Sequence, residues 1–124
     1  MNKTSLIAVE RIIACISELT ILTNNRNAEY FYDSLEMNAL IRLLDEIEKN
    51  IEKIDNKIKN RYKDFKWDII KKEKFEDEVF GMSYNLKTVW ELSNSILKNE
   101  LLNDLITLLE KEIPEYYYNL YNKK

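Results

Sequence analysis

Apolar residues recur along most of this chain at steps of three and four, which is the spacing of one face of an α-helix. The first such stretch predicts a helix that is capped by Thr4 or Ser5 and ends near Leu22. The longest stretch predicts a helix over residues 35–60, with its apolar positions in a single narrow stripe. A stripe this narrow favours packing against one neighbouring helix or against a second copy of the chain.

The second half of the chain repeats this spacing on both sides of a highly charged stretch. Charged residues dominate positions 71–78, and Gly81 predicts that the helix there ends in a left-handed cap. Further helices are predicted over residues 84–97 and 101–113. With one glycine and one proline, the chain lacks the turn residues that sheet proteins need about every 8–12 positions. We therefore predict a single all-α domain covering residues 1–124, folded as an up-and-down bundle of four to five helices.

Net charge and cysteine content narrow the class of partner. The formal net charge is −3, whereas nucleic-acid binders usually carry a basic field, so we expect no nucleic-acid partner. An acidic surface suits a basic protein partner instead. Cys15 is the only cysteine, and its apolar helical setting predicts a buried, inert thiol. No stretch approaches about 18 uncharged apolar residues, so we expect no membrane span and a cytoplasmic location.

The residue types present leave little catalytic or cofactor chemistry. The chain has no histidine, which excludes nucleophile pairs that need an imidazole base and zinc sites built on histidine. A single glycine rules out a glycine-rich phosphate cradle. The densest acidic group, Glu73, Glu76, Asp77 and Glu78, is interpreted as a solvated helix face rather than a carboxylate metal site. We therefore expect no metal, no cofactor and no enzymatic activity.

Three short blocks, in order along the chain, carry a resemblance to a known family. They are NALIRLLDEI at 38–47, RYKDFKW at 61–67 and NLKTVW at 85–90. They are similar to segments of the form DAVIRNLEII, KYPDIPW and DLEIVW in the HepT-like branch of the HEPN superfamily, and the spacing of the two tryptophans agrees. These are small helical proteins of bacterial and archaeal toxin–antitoxin pairs. The resemblance covers about residues 6–113 and implies a HEPN-like bundle and a homodimer.

The resemblance also implies that a catalytic site has been lost. Active members of the family carry an arginine, a histidine and a tyrosine between the tryptophans and cleave RNA without a metal at a dimer groove. At those positions this chain has Lys74, Val79 and Gly81, or, with the register moved by one residue, Glu73, Glu78 and Phe80. Valine cannot move a proton, and lysine lacks the bidentate fork of arginine. Neither register restores the motif.

Two surfaces are candidates for binding a partner. The acidic run consists of Glu73, Glu76, Asp77 and Glu78, where the family keeps its groove. The tyrosine tail consists of Tyr116, Tyr117, Tyr118 and Tyr121, and tyrosine is enriched in interfaces. We favour the acidic run, because it occupies the position of the lost site.

These surfaces lead to three hypotheses for function. The leading one is a non-catalytic antitoxin, immunity or regulatory protein that binds and neutralises a basic, RNA-cleaving toxin. The second is an inactive or divergent HepT-like module paired with a nucleotidyltransferase. The third is a divergent ribonuclease that uses Lys74, Glu73 or Glu78.

Overall fold

Every regular element in the described part of the chain is helical. The computed structural model describes residues 1–32, 35–70 and 86–115. Its elements are α1 (Lys3–Thr23), α2 (Ala28–Tyr32), α3 (Glu36–Lys53), α4 (Asn56–Arg61), α5 (Leu86–Glu91), the π-helical segments π1 (Leu92–Ile96) and π2 (Lys98–Leu102), and α6 (Asn103–Glu112). The all-α class predicted from the scarcity of glycine and proline is confirmed.

Contacts at the two ends of the bundle fix the directions of its long helices. At one end, the Ser5 hydroxyl near the start of α1 accepts a hydrogen bond from the backbone N–H of Asp55, just after α3, at 2.9 Å. At the other end, the Phe31 ring of α2 lies 5.2 Å from the Trp90 ring of α5, measured between centroids. Thus α1 is antiparallel to α3, and the helix over residues 86–112 runs in the same direction as α3.

Leucine and isoleucine side chains from the three long helices form the core. The buried apolar positions of α3 belong to its predicted stripe, and α1 is the element that α3 contacts most. The side chains that are 0–1% exposed include Ile12, Ile16, Leu19, Leu40, Leu44, Ile47, Leu92, Leu97, Leu101, Leu105 and Leu108. Each contributes roughly 1.5–3 kcal/mol through burial. Because α1 covers the stripe within one chain, the predicted homodimer rests on the family resemblance.

Cys15 is buried in this core, as predicted. Loss of solvation raises the pKa of its thiol, and the nearby carboxylates of Glu46 and Glu18 raise it further. A raised pKa lowers the fraction of thiolate, which is the reactive form.

The cap of α1 differs from the prediction. Asn2, rather than Thr4 or Ser5, caps the helix, because its side-chain oxygen accepts a hydrogen bond from the backbone N–H of Ser5 at 2.7 Å. Ser5 is fully buried, and its hydroxyl joins α1 to Asp55 instead. The prediction was wrong by two to three residues because asparagine and serine are both good capping residues.

The long helix predicted over residues 35–60 is two helices. α3 ends at Lys53, Ile54 is extended with ψ 132°, and the Asp55 carboxylate caps α4 by accepting from the backbone N–H of Lys57 at 2.9 Å. Ile54 and Ile58 stay buried across the break. The apolar stripe therefore continues through the break, and periodicity alone could not reveal it.

The two helices predicted over residues 84–97 and 101–113 form one continuous helix from Leu86 to Glu112. Leu92 and Leu97, both buried, are five residues apart. That spacing fits a π-helical turn, in which hydrogen bonds join residues five apart. The π-helical segments thus keep this face turned towards the core. The helix ends at Glu112, just before Pro114. Within the three described ranges, no helix is long and apolar enough to cross a membrane.

Candidate functional site

The sequence-predicted site residues lie outside the described residues. They are Glu73, Lys74, Glu76, Asp77, Glu78, Val79, Phe80, Gly81, Tyr116, Tyr117, Tyr118 and Tyr121. The roles assigned to the acidic run and the tyrosine tail therefore stay predictions. The candidate site is built from described residues of α3, of α4 and of the turn that follows α4.

An acidic cleft lies where the C-terminal half of α3 meets α4 and the turn that follows it. Its volume is about 140 Å³. It is lined by Glu48, Ile51, Glu52, Lys59, Trp67, Asp68 and Ile70. Pockets that bind drug-sized ligands and cofactors have volumes of roughly 300–1,000 Å³. The acidic cleft is therefore sized for a single side chain rather than for a nucleotide or a cofactor.

The lining of the acidic cleft is apolar in its buried part and negative at its rim. Ile51 and Ile70 are buried, whereas Glu52 and Asp68 are exposed. Among the described lining residues, three carboxylates and one ammonium group carry a formal charge of −2. A lining of this kind suits a group that combines hydrocarbon with positive charge.

Two of the carboxylates stand one turn apart on α3. Glu48 and Glu52 have i,i+4 spacing, and like charges at this spacing destabilise a helix by roughly 0.2–0.5 kcal/mol. A cationic group bound between them would offset this repulsion.

Trp67 is held in place by its neighbours in the turn. Its indole N–H donates a hydrogen bond to the backbone carbonyl of Tyr62 at 2.9 Å. The Phe65 ring lies 5.7 Å from the Trp67 ring and 5.1 Å from the Tyr62 ring, measured between centroids. Because the only donor of the indole is already used, Trp67 contributes aromatic surface to the acidic cleft.

The turn that carries Trp67 is anchored to the last helix through a carboxylate latch formed by Arg61, Tyr62 and Glu112. The Tyr62 hydroxyl donates to Oε2 of Glu112 at 2.7 Å, and Arg61 forms an ion pair with the same carboxylate. A second ion pair joins Lys66 to Glu100. The wall of the acidic cleft is thus fixed by residues more than 30 positions away in the sequence.

The latch shifts the pKa values of its members. Burial raises the pKa of Tyr62 to about 12, with the hydrogen bond to Glu112 and the charge of that carboxylate as further causes. The hydrogen bond from Tyr62 lowers the pKa of Glu112 most, with further lowering from Arg61, against the opposing effect of burial. The latch therefore favours a neutral Tyr62 and an ionised Glu112.

The carboxylates of the acidic cleft do not form a metal site. Among the described residues, no group of three or more aspartate, glutamate, cysteine or histidine side chains could hold a metal ion.

Sequence reasoning missed this site. Of the lining residues, Ile51 entered the prediction only as part of an apolar stripe, and Trp67 only as part of a family block. The like-charged pair Glu48 and Glu52 was the available signal. The fold brings that pair to Trp67 and Asp68, which lie well apart from it in the sequence.

The chain matches no protein-family model, no curated protein and no solved structure. The resemblance to the HepT-like branch therefore rests on its three sequence blocks. The first lies in α3, the second runs from the end of α4 through the turn to Trp67, and the third begins just before α5.

Proposed function

We propose that this protein is a non-catalytic binding protein on a HEPN-like scaffold, acting in the cytoplasm as an antitoxin, immunity or regulatory protein. Its partner would be a basic protein, such as an RNA-cleaving toxin. The observation that carries this proposal is the acidic cleft, in which two buried isoleucines lie beside three carboxylates and one ammonium group among the described lining residues.

The size and chemistry of the acidic cleft support binding over catalysis. A cleft of about 140 Å³ admits one side chain of a partner, which is the scale of a single anchor in a protein interface. The lack of histidine in the sequence removes the commonest general base.

The charge of the acidic cleft supports a basic partner. Opposite electrostatic fields on two proteins raise the rate of association, and like-charged partners are disfavoured. The acidic run, which is the predicted partner surface, begins at Glu73, after the two lysines that follow Ile70, and contributes four carboxylates.

Co-expression with the products of neighbouring genes tests this proposal. Each neighbouring gene is induced alone, and a product that arrests growth is then co-expressed with this chain. We expect growth to be restored by the wild type and by Glu18→Lys, an exposed control substitution on α1. We expect Glu52→Lys, at the rim of the acidic cleft, to lose protection, because it reverses the charge that attracts the partner.

Two results would contradict the proposal. If no neighbouring product is neutralised, the chain is not an antitoxin or immunity protein. If Glu52→Lys protects as well as Glu18→Lys does, the acidic cleft is not the binding site. A neighbouring nucleotidyltransferase that binds the chain but leaves growth unaffected would support the paired-module alternative instead.

The homodimer implied by the family resemblance can be tested separately from the binding role. Light scattering of the purified protein at tens of micromolar should give twice the mass of one chain. A monomer would contradict the homodimer and leave the binding role intact, because a monomer can also block a toxin.

A further inference from the structure

The side of α1 that faces away from the core is apolar. Ile7 and Ile21 are 40% and 74% exposed, and Ala14 between them is exposed as well. Four of the 21 residues of α1 are charged, whereas eight of the 18 residues of α3 are. Helices that are apolar on all sides are typically covered on all sides. The outer side of α1 therefore has the composition of a contact face.

We propose that this side of α1 binds the same side of a second copy of the chain, with the two helices antiparallel. Two features carry the inference: a row of exposed apolar residues, and two opposite charges that can meet only between copies. The described lining of the acidic cleft contains no residue of α1, so this contact goes beyond the proposed function. It also differs from the groove that the family resemblance implies.

Ile7, Ala14 and Ile21 form one row along α1, here called the α1 row. Their spacing of seven residues is about 20° short of two full helical turns, so the three side chains share a face. Apolar positions that repeat every seven residues are the seam along which two helices pack. In an antiparallel pair centred on Ala14, Ile7 of each copy lies opposite Ile21 of the other. The small alanine at the crossing lets the helices approach closely.

Two charged residues flank the α1 row on one side. Arg11 follows Ile7 by four residues and Glu18 follows Ala14 by four, so they stand at equivalent positions. Arg11 lowers the pKa of the Cys15 thiol and Glu18 raises it, which fits charges on the same edge of the helix. The two charges are about 10 Å apart along the axis, too far to pair within one chain. The ion pairs of the described residues include neither of them.

The two-fold axis of an antiparallel pair brings these charges together. It places the charged edge of one copy beside the same edge of the other and reverses its direction, so Arg11 of each copy lies level with Glu18 of the other. Such a contact contains two ion pairs. In a parallel pair, each charge would instead face the apolar residue five positions before it in the sequence. The charges thus select an antiparallel second copy as the occupant.

Charge exchange between two variants tests this contact. Wild type, Arg11→Glu and Glu18→Lys are compared as full chains by sedimentation velocity over a dilution series. Each substitution enters the symmetric interface twice and turns attraction into repulsion, so we expect the dimer dissociation constant to rise by about tenfold or more. An equal mixture of the two variants should dimerise almost as tightly as the wild type, because every facing pair is again opposite in charge.

The α1 row has a matched pair of variants of its own. Ile21→Lys should raise the dimer dissociation constant by about tenfold or more, because it places a charge against Ile7 of the other copy. Leu35→Lys changes an apolar residue that is 84% exposed but lies outside α1. It should leave the dissociation constant unchanged.

Three results would overturn the proposed contact. They are a monomeric wild type at tens of micromolar, a dimer that persists in both Arg11→Glu and Ile21→Lys, and a mixture of the two charge variants that stays monomeric. The second of these would assign self-association to another face. The proposed function is judged separately, because Glu18→Lys should be monomeric and still protect growth. If no neighbouring product is neutralised, the contact between copies stands and the antitoxin role fails.

Discussion

The two tryptophans mark opposite ends of the bundle, and those ends are held together in different ways. Trp90 packs against Phe31, which is fully buried and is the only buried residue of α2. Trp67 lies in a turn fixed by hydrogen bonds and by ion pairs to Glu112 and Glu100. The first end depends on apolar burial, which pH and salt hardly affect. The second end depends on charged groups, so its stability should change with pH and salt. The acidic cleft lies at this second end.

Removal of the Phe31 ring should have the largest effect. We expect Phe31→Ala to lower the free energy of unfolding by about 3–5 kcal/mol, because a fully buried ring is replaced by a cavity next to Trp90. Urea unfolding followed by circular dichroism measures the loss, which should be equal at neutral and mildly acidic pH. The neighbouring substitution Tyr32→Ala, at an exposed position, should cost much less. A loss below that of Tyr32→Ala would show that α2 is not held by burial.

Removal of the latch carboxylate should have the next largest effect, and it should depend on pH. We expect Glu112→Ala to cost about 1.5–3 kcal/mol at neutral pH, because the hydrogen bond from Tyr62 and the pairing with Arg61 are lost. Glu112 has a lowered folded-state pKa, so its stabilisation is complete above its ordinary value of 4.5 and is lost as the pH falls through the folded-state value. Unfolding curves for wild type and variant should therefore converge in acid.

The control for the latch is Glu110→Ala on the same helix. It should leave the acid dependence of stability as it is in the wild type. A constant difference between wild type and Glu112→Ala at all values of pH would contradict an ionised latch.

Removal of the Tyr62 hydroxyl should lower the free energy of unfolding by a smaller amount, and it should also change how stability depends on pH in alkali. The folded-state pKa of Tyr62 is raised from 10 to about 12, so its stabilisation is complete below pH 10 and is lost as the pH rises towards 12. We expect Tyr62→Phe to cost about 1 kcal/mol at neutral pH and to flatten the alkaline loss of stability. Tyr32→Phe should retain the steep alkaline loss. A steep loss that persists in Tyr62→Phe would assign it to another group.

Neutralisation of the Glu52 carboxylate should have the smallest effect. It should change the rate of association with the partner rather than the stability of the fold. We expect Glu52→Gln to slow association with the basic partner by about twofold to fivefold at low salt and to reduce its salt dependence. Stopped-flow measurements over a range of salt concentrations test this, with Glu18→Gln as the control. An unchanged salt dependence would place the acidic cleft outside the interface.

The elements that sequence analysis located are those whose burial is local and periodic. Leu40, Leu44 and Ile47 in α3 follow the 3.6-residue repeat and are buried as that repeat predicts. The end of α3 escaped prediction because Ile54 and Ile58 continue the repeat across a break that Asp55 creates by capping α4. Local periodicity thus reports which face is buried better than it reports where a helix stops.

The acidic cleft escaped prediction because distant residues assemble it. Glu52 reaches Trp67 and Asp68 only because the turn is folded back, and the turn is anchored by Glu112, which is 50 residues from Tyr62. Each of these residues is ordinary where it stands in the sequence: an exposed glutamate, an aromatic residue after a charged stretch, and a glutamate near the end of a helix. Tertiary contacts alone gave them a common role.

The π-helical segments over residues 92–102 determine which face of the following helix, α6, is turned towards the core. Deleting one residue there would rotate α6 by about 100°, one residue's share of a helical turn. Leu105 and Leu108 would leave the core, and Glu112 would turn away from Tyr62. The backbone irregularity in the last helix thus acts as an angular spacer, and the alignment of the acidic cleft at one end of the bundle is set by the winding of a helix several turns away.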